Sequence, residues 1–74
     1  MPEMQILSQN VLNFRHELRQ SQIEFAANCG ISTEALSAIE RGIGNPTLKT
    51  LQSIAAYVGC SAPALITKHP EFIY

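Results

Sequence analysis

The apolar residues of the N-terminal segment recur at spacings of three and four positions, which is the period of one face of an α-helix. The members of this stripe are Met4, Leu7, Val11, Phe14 and Leu18. They predict a long amphipathic first helix over residues 4–18 that buries one face.

Two short helices with a tight connection are predicted next. Ser21 and Glu24 have the spacing of a capping box, in which each side chain accepts a hydrogen bond from the other residue's backbone N–H. A second helix therefore begins here and runs to about Cys29. Ser32 is the expected N-cap of a third helix over residues 33–40. The inward positions of the two helices are Phe25, Ala26 and Cys29, followed by Leu36 and Ile39.

The rest of the pattern predicts two more helices and a tail. Residues 42–46 contain two glycines and a proline, which exclude a helix there. Thr47 is the expected N-cap of a fourth helix that Gly59 ends, and Ser61 opens a short fifth helix. Residues 67–74 form the tail. The apolar positions are Leu48, Leu51, Ile54, Ala55 and Val58, then Leu65 and Ile66. No segment alternates as a half-buried strand does, so the predicted class is an all-α, compact five-helix bundle.

Length and composition limit the possibilities. A chain of 74 residues holds one core, so residues 1–74 are expected to form a single domain with its core at about residues 4–66. No apolar run approaches the ~20 residues of a membrane-spanning helix, and the N-terminus has no export signal, which predicts a cytoplasmic protein without membrane contact. Cys29 and Cys60 are interpreted as buried apolar residues, with a disulfide or a reactive thiol as alternatives.

The chain offers no catalytic or metal-binding cluster. It contains no Asp, and neither His16 nor His69 has Cys or Glu at ligand spacing, so neither a zinc site nor a Ser-His-Asp triad is expected. The serines are explained as helix caps and the glycines as turn residues. We therefore expect no enzyme, no cofactor, no metal and no small-molecule ligand.

The second and third helices together form the sequence pattern of a helix-turn-helix. Ala26 lets the two helices approach closely, Gly30 turns the chain, and Ile31 fills the corner beneath. The third helix then projects with one face free. A helix fits the major groove of DNA, which is about 12 Å wide, so double-stranded DNA is the first candidate partner.

Three longer runs resemble the phage repressor and Cro-type (Xre-like) helix-turn-helix family. They are Gln22-x-x-Phe25-Ala26-x-x-Cys29-Gly30-Ile31-Ser32, Leu36-Ser37-x-Ile39-Glu40-Arg41-Gly42 and Asn45-Pro46-Thr47-Leu48-x-x-Leu51. The resemblance implies a lambda-repressor-like bundle that regulates transcription. It also implies binding to operator DNA as a dimer, with the third helix in the major groove.

The resemblance also implies roles for individual residues. The positions that face base edges are Ser32, Thr33, Glu34, Ser37 and Ala38. The phosphates are expected to be contacted by Gln22, Arg41, Asn45 and Lys49. Arg15 and Glu40 match an ion pair between the first helix and the end of the third, and its expected role is structural.

The sequence departs from the family pattern in three ways. Arg19 and Gln20 replace the usual glycine and leucine between the first two helices, so a turn and one core contact must be made differently. The third helix has no Lys, Arg, Asn or Gln, so the bidentate readers of guanine and adenine are missing. Glu34 either accepts a hydrogen bond from a cytosine amino group or is a solvated carboxylate that repels the DNA backbone.

The overall charge gives a second hypothesis. The net charge at pH 7 is −1, whereas nucleic-acid-binding domains tend to be basic. Four of the five basic residues are nevertheless clustered between positions 15 and 49. The alternative to a DNA-binding regulator is a protein-interaction module of the same fold, such as an antirepressor or the partner of a larger regulator. The salt dependence of DNA binding distinguishes the two.

Apolar residues outside the helical stripes are the basis for expecting a homodimer. Tyr57 is predicted on the far face of the fourth helix, and Phe72, Ile73 and Tyr74 lie in the tail. This surface either folds back onto the bundle or packs across a dimer. A dimer would hold two third helices about 34 Å apart, so that they engage successive major grooves.

Overall fold

The computed structural model describes residues 2–67, which form five α-helices and no β-strand. Their bounds are α1 Pro2–Glu17, α2 Gln22–Cys29, α3 Thr33–Glu40, α4 Leu48–Val58 and α5 Ala62–Leu65. α1 packs against α3 and α5, and α2 packs against α3 and α4. The predicted all-α class is confirmed.

Side-chain caps determine where the last four helices begin. Ser21, Ser32, Thr47 and Ser61 each accept a hydrogen bond from the backbone N–H three residues further on. At α2 the capping box is complete, because the Glu24 carboxylate also accepts from the Ser21 N–H at 2.9 Å. Hydrogen bonds from Ser21 lower the pKa of the Glu24 carboxyl below its usual value. All four predicted N-caps are confirmed.

The core is built from the predicted stripes, and all five helices contribute to it. Its buried members are Leu7, Val11, Phe25, Ala26, Cys29, Leu36, Ile39, Ile54, Ala55 and Leu65. Met4, Phe14, Ile31, Leu51 and Val58 are partly buried against them. Burial of a side chain such as Phe25 stabilises the fold by about 2 kcal/mol relative to its exposure.

Three residues of the predicted apolar stripes are exposed, so the prediction that they are buried is wrong. Leu18, Leu48 and Ile66 are 47%, 64% and 37% exposed. Leu18 follows the last residue of α1, Leu48 is the first residue of α4, and Ile66 follows the last residue of α5. Periodicity locates a face of a helix but not the point along its length where neighbouring helices stop covering it.

The turn between α1 and α2 is built on an arginine in the left-handed conformation. Arg19 has φ = 56°, close to the 79° of Gly30 at the end of α2. The Gln20 N–H donates to the Arg15 carbonyl at 3.3 Å, as in the Schellman motif that commonly ends a helix. Gln20 also donates from Nε2 to the Tyr57 hydroxyl at 2.7 Å. Arg19 therefore makes the turn in place of the usual glycine, and Gln20 makes a polar contact in place of the usual leucine. The prediction that both would be made differently is confirmed.

Tyr57 packs back onto the bundle, which is one of the two arrangements predicted for this apolar surface. Its ring packs edge-on against Phe25, with centroids 5.6 Å apart and an interplanar angle of 82°. Its hydroxyl accepts hydrogen bonds from Gln20 Nε2 at 2.7 Å and from Asn28 Nδ2 at 3.1 Å. These polar partners hold the ring against α2. The apolar tail residues 72–74 lie outside the described residues.

A buried asparagine holds the end of α5. Asn10 in α1 is 0% exposed, and its Nδ2 donates to the Leu65 carbonyl at 2.8 Å and the Thr67 carbonyl at 3.1 Å. Carbonyls at a helix C-terminus have no partner within the helix. Asn10 therefore anchors a helix of only four residues to the longest helix of the bundle.

The two cysteines are free thiols. Cys29 is buried as predicted, whereas Cys60 is only half-buried against the core. Burial raises the pKa of the Cys29 thiol to about 11 and also raises that of Cys60. Across residues 2–67, no cluster of ligand side chains could hold a metal ion, and no helix is long and apolar enough to span a bilayer.

Candidate nucleic-acid interface

The connection between α2 and α3 has the geometry that the sequence predicts. The N–H groups of Gly30 and Ile31 both donate to the Ala26 carbonyl, at 2.9 and 3.0 Å. Ala26 is buried where the two helices meet, and Ile31 is partly buried against the core. The chain turns through three residues and α3 leaves at an angle fixed by these contacts.

One face of α3 is left open. Leu36 and Ile39 are buried, and at 3.6 residues per turn the opposite face carries Glu34, Ser37 and Ala38. Glu34 is exposed, and the other two are half-buried. The remaining predicted base-facing residues are Thr33, which begins the helix, and Ser32, whose hydroxyl accepts from the Ala35 N–H at 3.0 Å. All five lie on or next to one face of α3, from its N-cap Ser32 to Ala38.

The end of α3 is fixed by a network centred on the Glu40 carboxylate. Arg15 donates to it from Nε at 2.6 Å and from Nη2 at 3.0 Å, and Gln22 donates from Nε2 at 2.9 Å. The Glu40 side chain is 5% exposed and that of Arg15 is 16% exposed. Ser8 adds a hydrogen bond of 2.6 Å from its hydroxyl to the Glu40 carbonyl. The structure thus pairs Arg15 with Glu40 and ties α1, α2 and α3 together.

The residues expected near phosphates have different surroundings. Gln22 uses one amide hydrogen on Glu40 and has a second to donate. Arg41 follows the last residue of α3, Asn45 lies in the connection to α4, and Lys49 is in the first turn of α4. These three are exposed, and within residues 2–67 neither cation forms an ion pair.

An apolar cleft of about 270 Å³ opens beside the free face of α3. Ala35 and Ala38 line one wall, and residues 43–47 with Thr50 line the other. A methyl group added to Gly44 would lie 3.4 Å from the Ala38 Cβ, so the connecting segment passes close to α3. The sequence reasoning did not find this cleft.

Sequence reasoning also missed two polar residues of α1. Ser8 and Asn10 hold α3 and α5, yet neither belongs to the apolar stripe that predicts the inward face of α1. Asn10 lies three positions after Leu7 and next to Val11, both of which are buried. Its helical position was the signal that it faces inward and needs partners there.

Two short helices, α2 and α3, are joined by a turn at Gly30, and one face of α3 is exposed. This arrangement within a helical bundle defines the helix-turn-helix class of proteins. The family model described as "Helix-turn-helix" matches residues 16–65. The uncharacterized HTH-type transcriptional regulator y4dJ of Sinorhizobium fredii is 35% identical over 71 residues, which are 96% of this chain and 92% of that protein. The crystal structure of the hypothetical transcription factor NHTF from Neisseria is similar with a TM-score of 0.79 and 33% identity, over 89% of this chain and 76% of that one.

The chain therefore belongs to the helix-turn-helix family of the phage repressor and Cro type. The predicted resemblance is confirmed, and the family is one of regulators and not of enzymes.

Proposed function

We propose that this protein is a transcriptional regulator that binds operator DNA as a homodimer, with α3 in the major groove. The observation that carries the proposal is the contrast between the two sides of α3. Its inner side and its end are held by Leu36, Ile39 and Glu40, while its outer side is open. The printed names of the relatives, a transcriptional regulator and a transcription factor, support the same function. A cytoplasmic location is part of the proposal, because the operator lies with the chromosome.

The charges of the described residues are compatible with DNA binding despite the net charge of −1. Glu40 is neutralised by Arg15, and Glu24 caps α2. Arg41 and Lys49 remain available for phosphates, and Gln22 offers one amide hydrogen. On this proposal Gln22, Arg41, Asn45 and Lys49 position the protein on the backbone without reading sequence.

Dimerisation is part of the proposal because α3 has only eight residues and mostly short outward side chains. Two copies held about 34 Å apart would engage successive major grooves. The surface proposed for pairing includes α5 and the tail, where Ile66 is 37% exposed. Deletion of residues 70–74 should then lower the dimer population and the DNA affinity together while the fold persists. Sedimentation that shows a monomer before and after deletion, at concentrations that bind DNA, would contradict this part.

The salt dependence of binding tests the DNA proposal. Two cations per protomer, or four per dimer, predict a slope of log K against log salt of roughly −3.6, since each neutralised phosphate contributes about −0.9. Arg41→Ala should reduce the steepness by about 1.8 in a dimer. Gln22→Ala should weaken cognate and scrambled duplexes alike and leave the slope unchanged, because the amide is neutral. A loss confined to the cognate duplex would count against a phosphate role.

The second candidate is a protein-interaction module that keeps this fold. The net charge and the short side chains of α3 favour it. A folded protein that enriches no motif from a random duplex library and binds DNA with almost no salt dependence would support this candidate over the first.

A further inference from the structure

We propose that Glu34 and Ala38 specify two pyrimidines that lie within about two base pairs of each other in each half-site. Glu34 accepts a hydrogen bond from the amino group of a cytosine, and Ala38 together with the adjacent cleft contacts the 5-methyl group of a thymine. This inference rests on the proposed function, because it concerns α3 docked in the major groove.

Glu34 is the one long side chain among the outward positions of α3. Thr33, Ser37 and Ala38 end within two bonds of the backbone, whereas the Glu34 carboxylate extends further from the helix. It is exposed, lies nearly opposite the buried Leu36, and has no ion-pair partner within residues 2–67. Its position in the first turn of α3 places it at the end of the helix that enters the groove.

The chemistry of base edges selects cytosine for a carboxylate. An ionised carboxylate only accepts hydrogen bonds. In the major groove guanine presents two acceptors and thymine presents an acceptor beside its methyl group, while adenine places an acceptor next to its amino donor. Cytosine presents the amino donor alone. Cytosine is therefore the base that Glu34 can approach without facing an acceptor.

Ala38 lies one helical turn beyond Glu34. Side chains four positions apart on a helix are separated by about 6 Å, and base pairs rise by about 3.4 Å, so the two residues read positions within about two base pairs. The Ala38 methyl forms part of the apolar cleft of about 270 Å³. Thymine is the base whose major-groove edge carries a methyl group, and alanine contacts it favourably.

If Glu34 does not read a base, its carboxylate acts only through its charge. A carboxylate in the first turn of a helix interacts favourably with the helix dipole, and near DNA it repels phosphates. The first effect changes the stability of α3, and the second changes the affinity for every sequence by the same factor. Sequence preference, and not affinity alone, therefore decides between the two roles.

The experiment is selection from a random duplex library with the full chain, with Glu34→Gln and with Glu17→Gln. Glu17 is an exposed carboxylate in the last turn of α1, so its variant matches the charge change away from α3. The parent should enrich a cytosine in each half-site by roughly tenfold or more over adenine. Glu34→Gln should replace that cytosine by adenine, which glutamine can contact at two atoms, and leave the other positions unchanged. Glu17→Gln should enrich the parental motif.

Uniformly tighter binding by Glu34→Gln, with the motif unchanged, would overturn the cytosine assignment. Replacement of the motif's thymines by deoxyuridine, one at a time, tests the second contact. One replacement should weaken the parent severalfold within two base pairs of the cytosine, and no effect at any position would overturn the thymine assignment. A parent that enriches a motif without a cytosine would overturn this inference alone, whereas a parent that enriches no motif or binds no duplex would overturn the proposed function.

Discussion

Removal of the Glu40 side chain is the sharpest test of how α3 is held. In the native protein its carboxylate receives three N–H donors, from Arg15 and Gln22, at 2.6 to 3.0 Å. Glu40→Ala would leave the Arg15 guanidinium, 16% exposed, with only the Gln20 carbonyl at 3.1 Å among these contacts. Removing one partner of a buried pair costs about 3 kcal/mol, because the other charge stays desolvated without its counter-ion.

The loss is large for a chain of this size. At about 0.05–0.15 kcal/mol per residue, a domain of this length is stable by roughly 4–11 kcal/mol. With a urea dependence of about 1 kcal/mol per molar, the unfolding midpoint of Glu40→Ala should fall by about 3 M. Equilibrium urea unfolding, followed by circular dichroism, measures this directly.

Two variants serve as controls for the network. Glu17→Ala removes an exposed carboxylate from the end of α1 and should leave the midpoint almost unchanged. Arg15→Met combined with Glu40→Met removes both charges and should cost less than the sum of the two single changes, since neither charge is stranded. A Glu40→Ala midpoint within about 0.3 M of the parent, under the same urea dependence, would refute the reasoning.

Three further predictions follow from the fold. Arg19→Gly should stabilise the protein by about 1 kcal/mol, because glycine adopts φ = 56° without the steric cost that a side chain has there, and an unchanged or lower urea midpoint would contradict it. Asn10→Ala should destabilise it by about 2 kcal/mol, since two carbonyls at the end of α5 lose their donor, and parental unfolding would show that water replaces the amide at no cost. The raised pKa of Cys29, about 11, predicts that stability is full below pH 9, the thiol's ordinary pKa, and falls between pH 9 and 11. The free energy of unfolding, measured at several pH values, should fall less for Cys29→Ala than for the parent. The same fall in both proteins would show that the buried Cys29 thiol is not the cause.

The sequence predicted most accurately the features that depend on neighbouring residues. A capping box spans four positions, so Ser21 and Glu24 were sufficient to place the start of α2. An N-cap side chain bonds a backbone N–H three positions further on, so Ser32, Thr47 and Ser61 were likewise sufficient to place the starts of α3, α4 and α5. The open face of α3 followed from the inward positions of Leu36 and Ile39, because a helix of known period has a defined opposite side.

The sequence predicted poorly what depends on residues far apart in the chain. Tyr57 is held by Gln20, 37 positions away, and Asn10 binds the Leu65 carbonyl, 55 positions away. Leu48 fits the apolar period of α4, yet it is 64% exposed because coverage depends on where other helices end. The cleft beside Ala38 forms only when the segment around Gly44 is placed against α3.

The division of α3 into a held side and an open side bears on how such a protein can diversify. Within the described residues, the side chains of Thr33, Glu34, Ser37 and Ala38 form no hydrogen bond or ion pair. Exchange of these four side chains therefore breaks no hydrogen bond or ion pair within residues 2–67, and it leaves the Glu40 network and the buried core residues unchanged. On the proposed function, copies of this gene can change the DNA sequence that they select while the same core and the same Glu40 network hold the fold, so one scaffold could supply many regulators with different targets.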